Sequence, residues 1–266
     1  INLVISYINS NKGGIKLEQL ALIGNTATTA GGESGGGEIN EYVGCTGTGQ
    51  ILTGLTIYRS CNTSDIIICT GSGTGYTLAA CNEGTNIAGT GINSYGKYYQ
   101  WGNNYGFLSG TITTTTLANT TGYGPGNYYS GTYFVLGSSS YRYDWTTVQN
   151  DDLWGGVTDT NEARQGPCQS GYHIPRETEW GSIVIAGGWS SPNWTDDGIR
   201  MMNALKLPFA GYIEYTNGKV FGYAGLYSSS SFNGVNGYLL HINEDIIYPN
   251  TYDVRSRAFN IRCIKN

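Results

Sequence analysis

The amino-acid sequence predicts an α+β chain: a loop-rich, mostly β body that carries two short helices. Three observations lead there. Charged residues make up 12 % of the chain, about half the usual share, while glycine, at 41 of 266 residues, is about twice as frequent as usual. Ala, Glu, Lys and Leu, which favour long helices, give way to Gly, Thr, Ser, Asn and Tyr. Only two stretches place several apolar residues at helical spacing beside a helix start signal, and most of the rest reads as short β-prone runs broken by Gly and Pro. Disorder brings many charges and few aromatics, and here the balance is reversed.

The elements follow in order. "INLVISYINS" (1–10) puts Leu3, Ile5 and Tyr7 on one face and Asn2, Val4, Ser6 and Ile8 on the other, and reads as a strand with no clear buried face. "GIKLEQLALIG" (14–24) fits a short helix closed by Gly24, or a further strand. "TATTAGGESGGGE" (26–38) is a glycine-rich connector. "VGCTGTG" (43–49) and "IICTGSG" (67–73) echo one another, each read as a strand, a Gly turn and a return strand. From Tyr76 to Val135 short β-prone runs alternate with Gly and Pro. The first clear helix begins after Pro175, holds Trp180, Ile183 and Val184 on one face, and ends near Gly187–Gly188. Glu179 supplies half of a capping box, whereas Arg176 at the cap position has no acceptor oxygen. The second helix is predicted from Thr195, with Asp196 and Asp197 at its positive end and Ile199, Met202 and Leu205 as its apolar stripe. "LPFAGYIEY", "KVFGYAGLYSSSS", "GYLLHIN", "DIIYPN" and "RAFNIRCIKN" then read as successive strands. Two regions result: residues 1–60, a β-rich segment with a glycine-rich linker suited to assembly or docking, and residues 61–266, the main domain.

Charge and composition exclude some functions. The net charge is −5, and cationic residues cluster only in the scatter Arg255, Arg257, Arg262 and Lys265. Nucleic acid needs a basic footprint, so it is not an expected partner. No run of eighteen apolar residues occurs, so no membrane span is expected. The start at Ile1 reads as a processed or trimmed product.

The six cysteines are Cys45, Cys61, Cys69, Cys81, Cys168 and Cys263. With no C-x-x-C pair and two histidines in the chain, a zinc site is poorly supplied, and three disulfides in an oxidising compartment are the expectation. Pairing Cys45 with Cys61 and Cys69 with Cys81 would staple each echo locally, although the sequence leaves the connectivity open.

The motifs with chemical potential each have a plainer reading. "GESGG" (32–36) fits a nucleophile elbow but lacks the strand before it and the helix after it. "GSGTGYT" (71–77) lacks the Lys and the helix of a phosphate loop and reads as a hairpin turn. The acidic pairs Asp151–Asp152, Asp196–Asp197 and Glu244–Asp245 have no EF-hand spacing. His173 is the sharpest general-base candidate, but no nucleophile pairs with it, and a histidine just before a proline and a helix more often satisfies the backbone. No cofactor is expected. Tyrosine outnumbers phenylalanine 22 to 6, which fits half-wet surfaces and adaptable binding faces as well as it fits a β-rich secreted protein.

Taken together, "YYQWGN" (98–103), "CQSGYHIPRETEW" (168–180), "LKLPFAGY" (205–212), "YSSSS" (227–231) and "AFNIRCIKN" (258–266) resemble the Fibrobacter succinogenes major paralogous domain over roughly residues 65–266. That family is related to the sulfatase-modifying-factor branch of the C-type lectin fold. The resemblance implies a C-type lectin-like domain with two helices, a small twisted antiparallel sheet and long loops. It also implies a Cys168–Cys263 bridge that makes the His173 segment a structural corner. The active-site cysteine pair of formylglycine-generating enzymes has no counterpart, and the calcium-dependent sugar triplets of true lectins are missing. Related domains vary exposed side chains near their C-terminal end. Mapped here, that surface is Tyr227, Phe232, Asn236, Tyr238, His241, Asn243, Tyr248, Asn250, Tyr252, Asp253 and Arg255. The expected function is non-catalytic: a secreted or cell-surface bacterial protein that binds a surface protein or glycan through this face. The alternatives are a self-associating filament or surface-layer subunit that uses N-terminal strand addition, and a formylglycine-generating-type enzyme.

Overall fold

The computed structural model describes residues 41–58, 61–108, 110–137, 143–189 and 196–266. The strand expected over 1–10, the helix or strand over 14–24 and the glycine tract over 26–38 lie outside the described residues. In chain order the elements are β1 (Ile51–Ile57), β2 (Ser64–Gly71), β3 (Thr74–Leu78), β4 (Tyr99–Gln100), β5 (Thr113–Thr114), β6 (Phe134–Val135), β7 (Tyr172–His173), α1 (Glu177–Ala186), α2 (Asp197–Leu205), β8 (Tyr212–Ile213), β9 (Val220–Phe221), β10 (Gly225–Asn233), β11 (Asn236–Ile242), β12 (Ile247–Val254), β13 (Ala258–Phe259) and β14 (Ile264–Lys265). The chain is thus α+β, with two α-helices and several small antiparallel sheets among the described residues.

The largest sheet runs β1-β2-β3-β14-β7. β2 is buried on both faces from Asp65 to Cys69, which explains an isoleucine run with no polar alternation. Ile66 and Ile68 join the main core with Leu78, while Ile67 and Cys69 pack under Tyr42, Cys45 and Leu52 on the opposite face. Gly73, at φ +68°, closes the β2–β3 hairpin in the left-handed region that glycine tolerates. Of the two echoing segments, 67–73 forms the expected strand and turn, whereas 43–49 is turn and irregular backbone without the first strand. Residues 41–58 belong to this sheet through β1 and a disulfide, so the boundary drawn at residue 61 runs through one compact unit.

The disulfides are Cys45–Cys69, Cys61–Cys81 and Cys168–Cys263, which place the chain in an oxidising environment. The local pairing of Cys45 with Cys61 and Cys69 with Cys81 is therefore corrected, for reasons of strand geometry. The Gly73 N–H donates to the Cys45 carbonyl at 3.0 Å, which sets Cys45 over the hairpin end beside Cys69. Cys61 lies just before β2 and Cys81 just after β3, so the antiparallel hairpin brings them together at its open end.

Helix α1 buries Trp180, Ile183, Val184 and Ala186, as its spacing predicts, and Gly187 and Gly188 end it. At its start the Arg176 N–H donates to Glu179 Oε2 at 2.8 Å, the one half of the capping box that an arginine permits. Helix α2 begins with Asp197 in its first turn, bound to Arg200 at 2.6 Å. Its buried stripe is Gly198, Met201 and Leu205 rather than Ile199, Met202 and Leu205. The cause is close backbone contact: a Cβ on Gly198 would stand 1.6 Å from the Asn243 carbonyl, so this face of α2 is the one pressed on the β11–β12 turn.

The remaining sheets are β10-β11-β12, which packs under α1, and β4-β13-β8-β9, with a parallel β5–β6 pair beside them. Trp101, Trp145, Trp154, Trp180 and Trp189 are all buried, four of them within 2 % exposure, and all five belong to the main core.

Candidate functional site

The corner at His173 decides whether the strongest general-base candidate can work as one. β14 pairs with β7, setting Ile264 opposite His173, and the Cys168–Cys263 bridge closes the same corner. His173 is 1 % exposed. Its Nδ1 lies 2.8 Å from Asn266 Oδ1 and its Nε2 lies 3.0 Å from Glu179 Oε2. Burial pushes the Glu179 carboxyl up, but His173 and Arg176 outweigh it and hold the group below its usual range. Both ring nitrogens are engaged, and the nearest cysteine in sequence is bridged. The imidazole ties Asn266 to the first turn of α1.

The C-terminal surface expected for recognition lies on β10, β11 and β12. Directly opposed residues share a face, and neighbours along a strand alternate. Tyr227 faces Leu240 and Ile242 faces Ile247, all on the side of the main core, with the Trp180 ring 6.2 Å from Tyr227. Alternation puts Tyr238 on that side, together with its partner Tyr252. Leu226 and Leu239 pack the other way, on Phe259, and His241 with its partner Tyr248 go with them. A bulge between Thr251 and Tyr248 makes the switch. The single expected face is therefore two.

Within these faces the predicted residues differ sharply. Tyr248 and Tyr252 are 48 % and 54 % exposed on β12, an edge strand, and Asn250 is exposed between them. Tyr238 meets Tyr252 edge to face at 6.2 Å, and His241 backs Tyr248 at 6.0 Å. Burial lowers the His241 pKa. Asn236 is half-buried at the start of β11. Asn243 is a turn former: its Oδ1 accepts the N–H groups of Asp245 at 3.1 Å and Ile246 at 2.8 Å.

Tyr227 and Arg255 are corrected: neither reaches the surface. The Tyr227 ring is buried and its hydroxyl donates to the Pro208 carbonyl at 2.8 Å. Arg255 is 2 % exposed, binds Asp151 at 2.6 Å and the Gly234 carbonyl at 2.9 Å, and lies 4.3 Å over the Trp101 ring. Phe232, edge to face with Trp101 at 6.3 Å, lies 5.5 Å from that guanidinium and is half-buried there. A cation paired with a carboxylate, accepted by a carbonyl and covered by two rings holds the β10–β11 end to the Asp151 loop.

A second group was not legible in the sequence because its members are far apart there. Arg257 lies between Tyr212 and Tyr215, 5.0 and 5.2 Å from their rings, and is bonded to Asp253 at 2.6 Å and Glu214 at 3.0 Å. Burial pulls its pKa down, but the two carboxylates prevail and the net shift is upward. Tyr212 stacks on Phe221 at 5.9 Å and 23°, and Tyr215 meets Tyr143 at 5.4 Å. Asp253, expected as a contact residue, belongs to this group. The signal available beforehand was the aromatic and acidic density of "GYIEY" (211–215), read only as a strand.

Among the described residues no group of three or more His, Cys, Asp or Glu is placed to hold a metal ion. No helix among them is long and apolar enough to cross a membrane. Comparison of the chain with protein-family models, with curated proteins and with solved structures finds no match.

Proposed function

We propose that the chain is a non-catalytic recognition protein, secreted or displayed at a bacterial cell surface, with a lectin-like domain that engages a partner protein or glycan through the aromatic side chains of its C-terminal strands. The observation that carries this reading is the placement of Tyr248 and Tyr252, half exposed on the two faces of the edge strand β12 and each backed by a ring on β11. Tyrosine anchored in this way offers a large, stiff contact area at low entropic cost. The engagement of His173 by Asn266 and Glu179, together with the pairing of all six cysteines, favours recognition over thiol chemistry of the formylglycine-generating kind.

The test is an array of surface proteins and glycans probed with the intact chain, followed by the Tyr248→Ala/Tyr252→Ala variant. Loss of at least tenfold in affinity supports the site, and unchanged binding moves it elsewhere. A second reading, self-assembly by strand addition, is favoured by β1, the edge strand of the five-stranded sheet, with Ile51 37 % exposed beside that edge. Electron microscopy of the purified chain with and without residues 1–12 separates the two, since a monodisperse monomer in both cases removes assembly.

A further inference from the structure

The run of side chains Tyr143, Tyr215, Arg257, Tyr212 and Phe221 draws on three distant parts of the chain and forms one continuous set of ring contacts. Tyr212 packs against the Leu226, Leu239 and Phe259 cluster, and from it the run reaches outward. Tyr143 is 41 % exposed and Phe221 45 %, Arg257 is partly exposed, and Tyr212 and Tyr215 are half-buried. The run is also stiff. Tyr143 holds φ +62°, a left-handed conformation that is costly for an aromatic residue, and the Ser256 hydroxyl donates to its carbonyl. The Gly137 N–H fixes Tyr215 by donating to its carbonyl at 3.1 Å, and the Glu214 N–H closes the β8–β9 hairpin on Lys219 at 2.8 Å.

We infer that this run is a binding site for a neutral saccharide chain. The inference rests on the recognition reading above and adds a site and a ligand class to it. Charge points to a neutral ligand. Arg257 is matched by two carboxylates, Asp253 and Glu214, so one cation stands against two anions and an acidic polymer finds no surplus positive charge. The shape points to sugar: an aromatic face takes the C–H face of a pyranose ring, and Phe221, 45 % exposed and backed by Tyr212, offers such a face. Polar reach is present too. Each terminal nitrogen of Arg257 has one hydrogen bond to a carboxylate among the described residues, leaving its second N–H to donate to a sugar hydroxyl. The run continues from ring to ring past a single sugar's width, which suits successive residues of a chain.

The experiment uses the intact chain in affinity gel electrophoresis against soluble neutral polysaccharides (mixed-linkage β-glucan, xylan, mannan and dextran), with polygalacturonate as the anionic control. The variants are Tyr143→Ala/Phe221→Ala and Tyr248→Ala/Tyr252→Ala, each checked for native circular dichroism. Retention by at least one neutral polysaccharide, weakened about tenfold or more in Tyr143→Ala/Phe221→Ala, is the expected result. Absence of retention by every neutral polymer, preference for polygalacturonate, or full retention in Tyr143→Ala/Phe221→Ala overturns the inference. Loss confined to Tyr248→Ala/Tyr252→Ala also overturns it while leaving the recognition reading standing.

Discussion

Asp65 gives a quantitative test of how the large sheet is built. The side chain lies on β2 with no exposed surface, and its Oδ2 accepts the Tyr172 hydroxyl. Burial raises its pKa from 3.8 to about 6, with the Tyr172 hydrogen bond and Lys265 opposing and Glu41 adding to the rise. The sign follows from proton linkage. A carboxyl whose folded pKa exceeds its unfolded value binds its proton more tightly when folded. Its contribution is complete below the unfolded value, near 3.8, and is lost as pH rises through about 6. The gap corresponds to about 3 kcal/mol. Asp65→Asn keeps an oxygen for the Tyr172 hydroxyl and cannot ionise. Urea unfolding of both proteins, disulfides intact, from pH 3.5 to 7.5 is the assay. The wild type is expected to lose about 3 kcal/mol relative to the variant across that range. Glu83 and Asp144, whose pKa values burial also raises, are present in both proteins and cancel in the difference. Two curves that run parallel within about 0.5 kcal/mol would refute the account, because Asp65 would then be as solvated folded as unfolded.

Two further predictions concern the frame. The Cys168–Cys263 bridge closes a separation of 95 residues, so Cys168→Ser/Cys263→Ser is expected to cost about 4.7 kcal/mol by the chain-entropy relation, read from urea unfolding against wild type; a loss under about 1 kcal/mol would show the corner held without it. Lys206, which ends α2 at φ +55°, is expected to stabilise the chain by about 1 kcal/mol when replaced by glycine, raising Tm by about 2–4 °C in differential scanning calorimetry; an unchanged or lower Tm contradicts it.

What the sequence revealed and what it hid follow from distance along the chain. Helix α1 was legible because its signals are local: a proline, an acidic first turn, an i, i+3, i+4 apolar face and two glycines. The stripe of α2 was displaced by one position, because the deciding contact is Gly198 against the backbone of Asn243, which no helical pattern records. The six cysteines announced bridges, but their echoing spacing favoured local partners, and only the antiparallel return of β2 and β3 sets Cys61 beside Cys81. The face expected for recognition drew in too many residues for a similar reason. Alternation along β12 puts Tyr248 and Tyr252 on one side, and a bulge invisible in composition separates them. Arg255 reads as surface by residue type, and it is inside because Asp151 and the Trp101 ring await it.

Arg255 is one case of a wider arrangement that bears on function. Long loops carry backbone N–H and C=O groups that no ladder satisfies, and buried ones need partners. Side chains supply them here. Gln100 accepts the Val135 N–H at 3.1 Å and donates to the carbonyls of Val135 and Ser256, both at 2.7 Å. Asn260 donates to the carbonyls of Tyr95 and Lys97 at 2.8 and 3.0 Å. Arg262, fully buried and with its pKa pulled down to about 10 by that burial, reaches the carbonyls of Ala79, Leu205 and Lys206 and the side chain of Asn82. Amide and guanidinium groups that a surface would use for recognition are thus consumed in holding irregular backbone. Among the described residues, the exposed rings on β9 and β12 and at Tyr143 make no such bonds. A fold that stabilises its loops from within can change those outward rings without disturbing its frame, and that freedom is what a recognition surface requires.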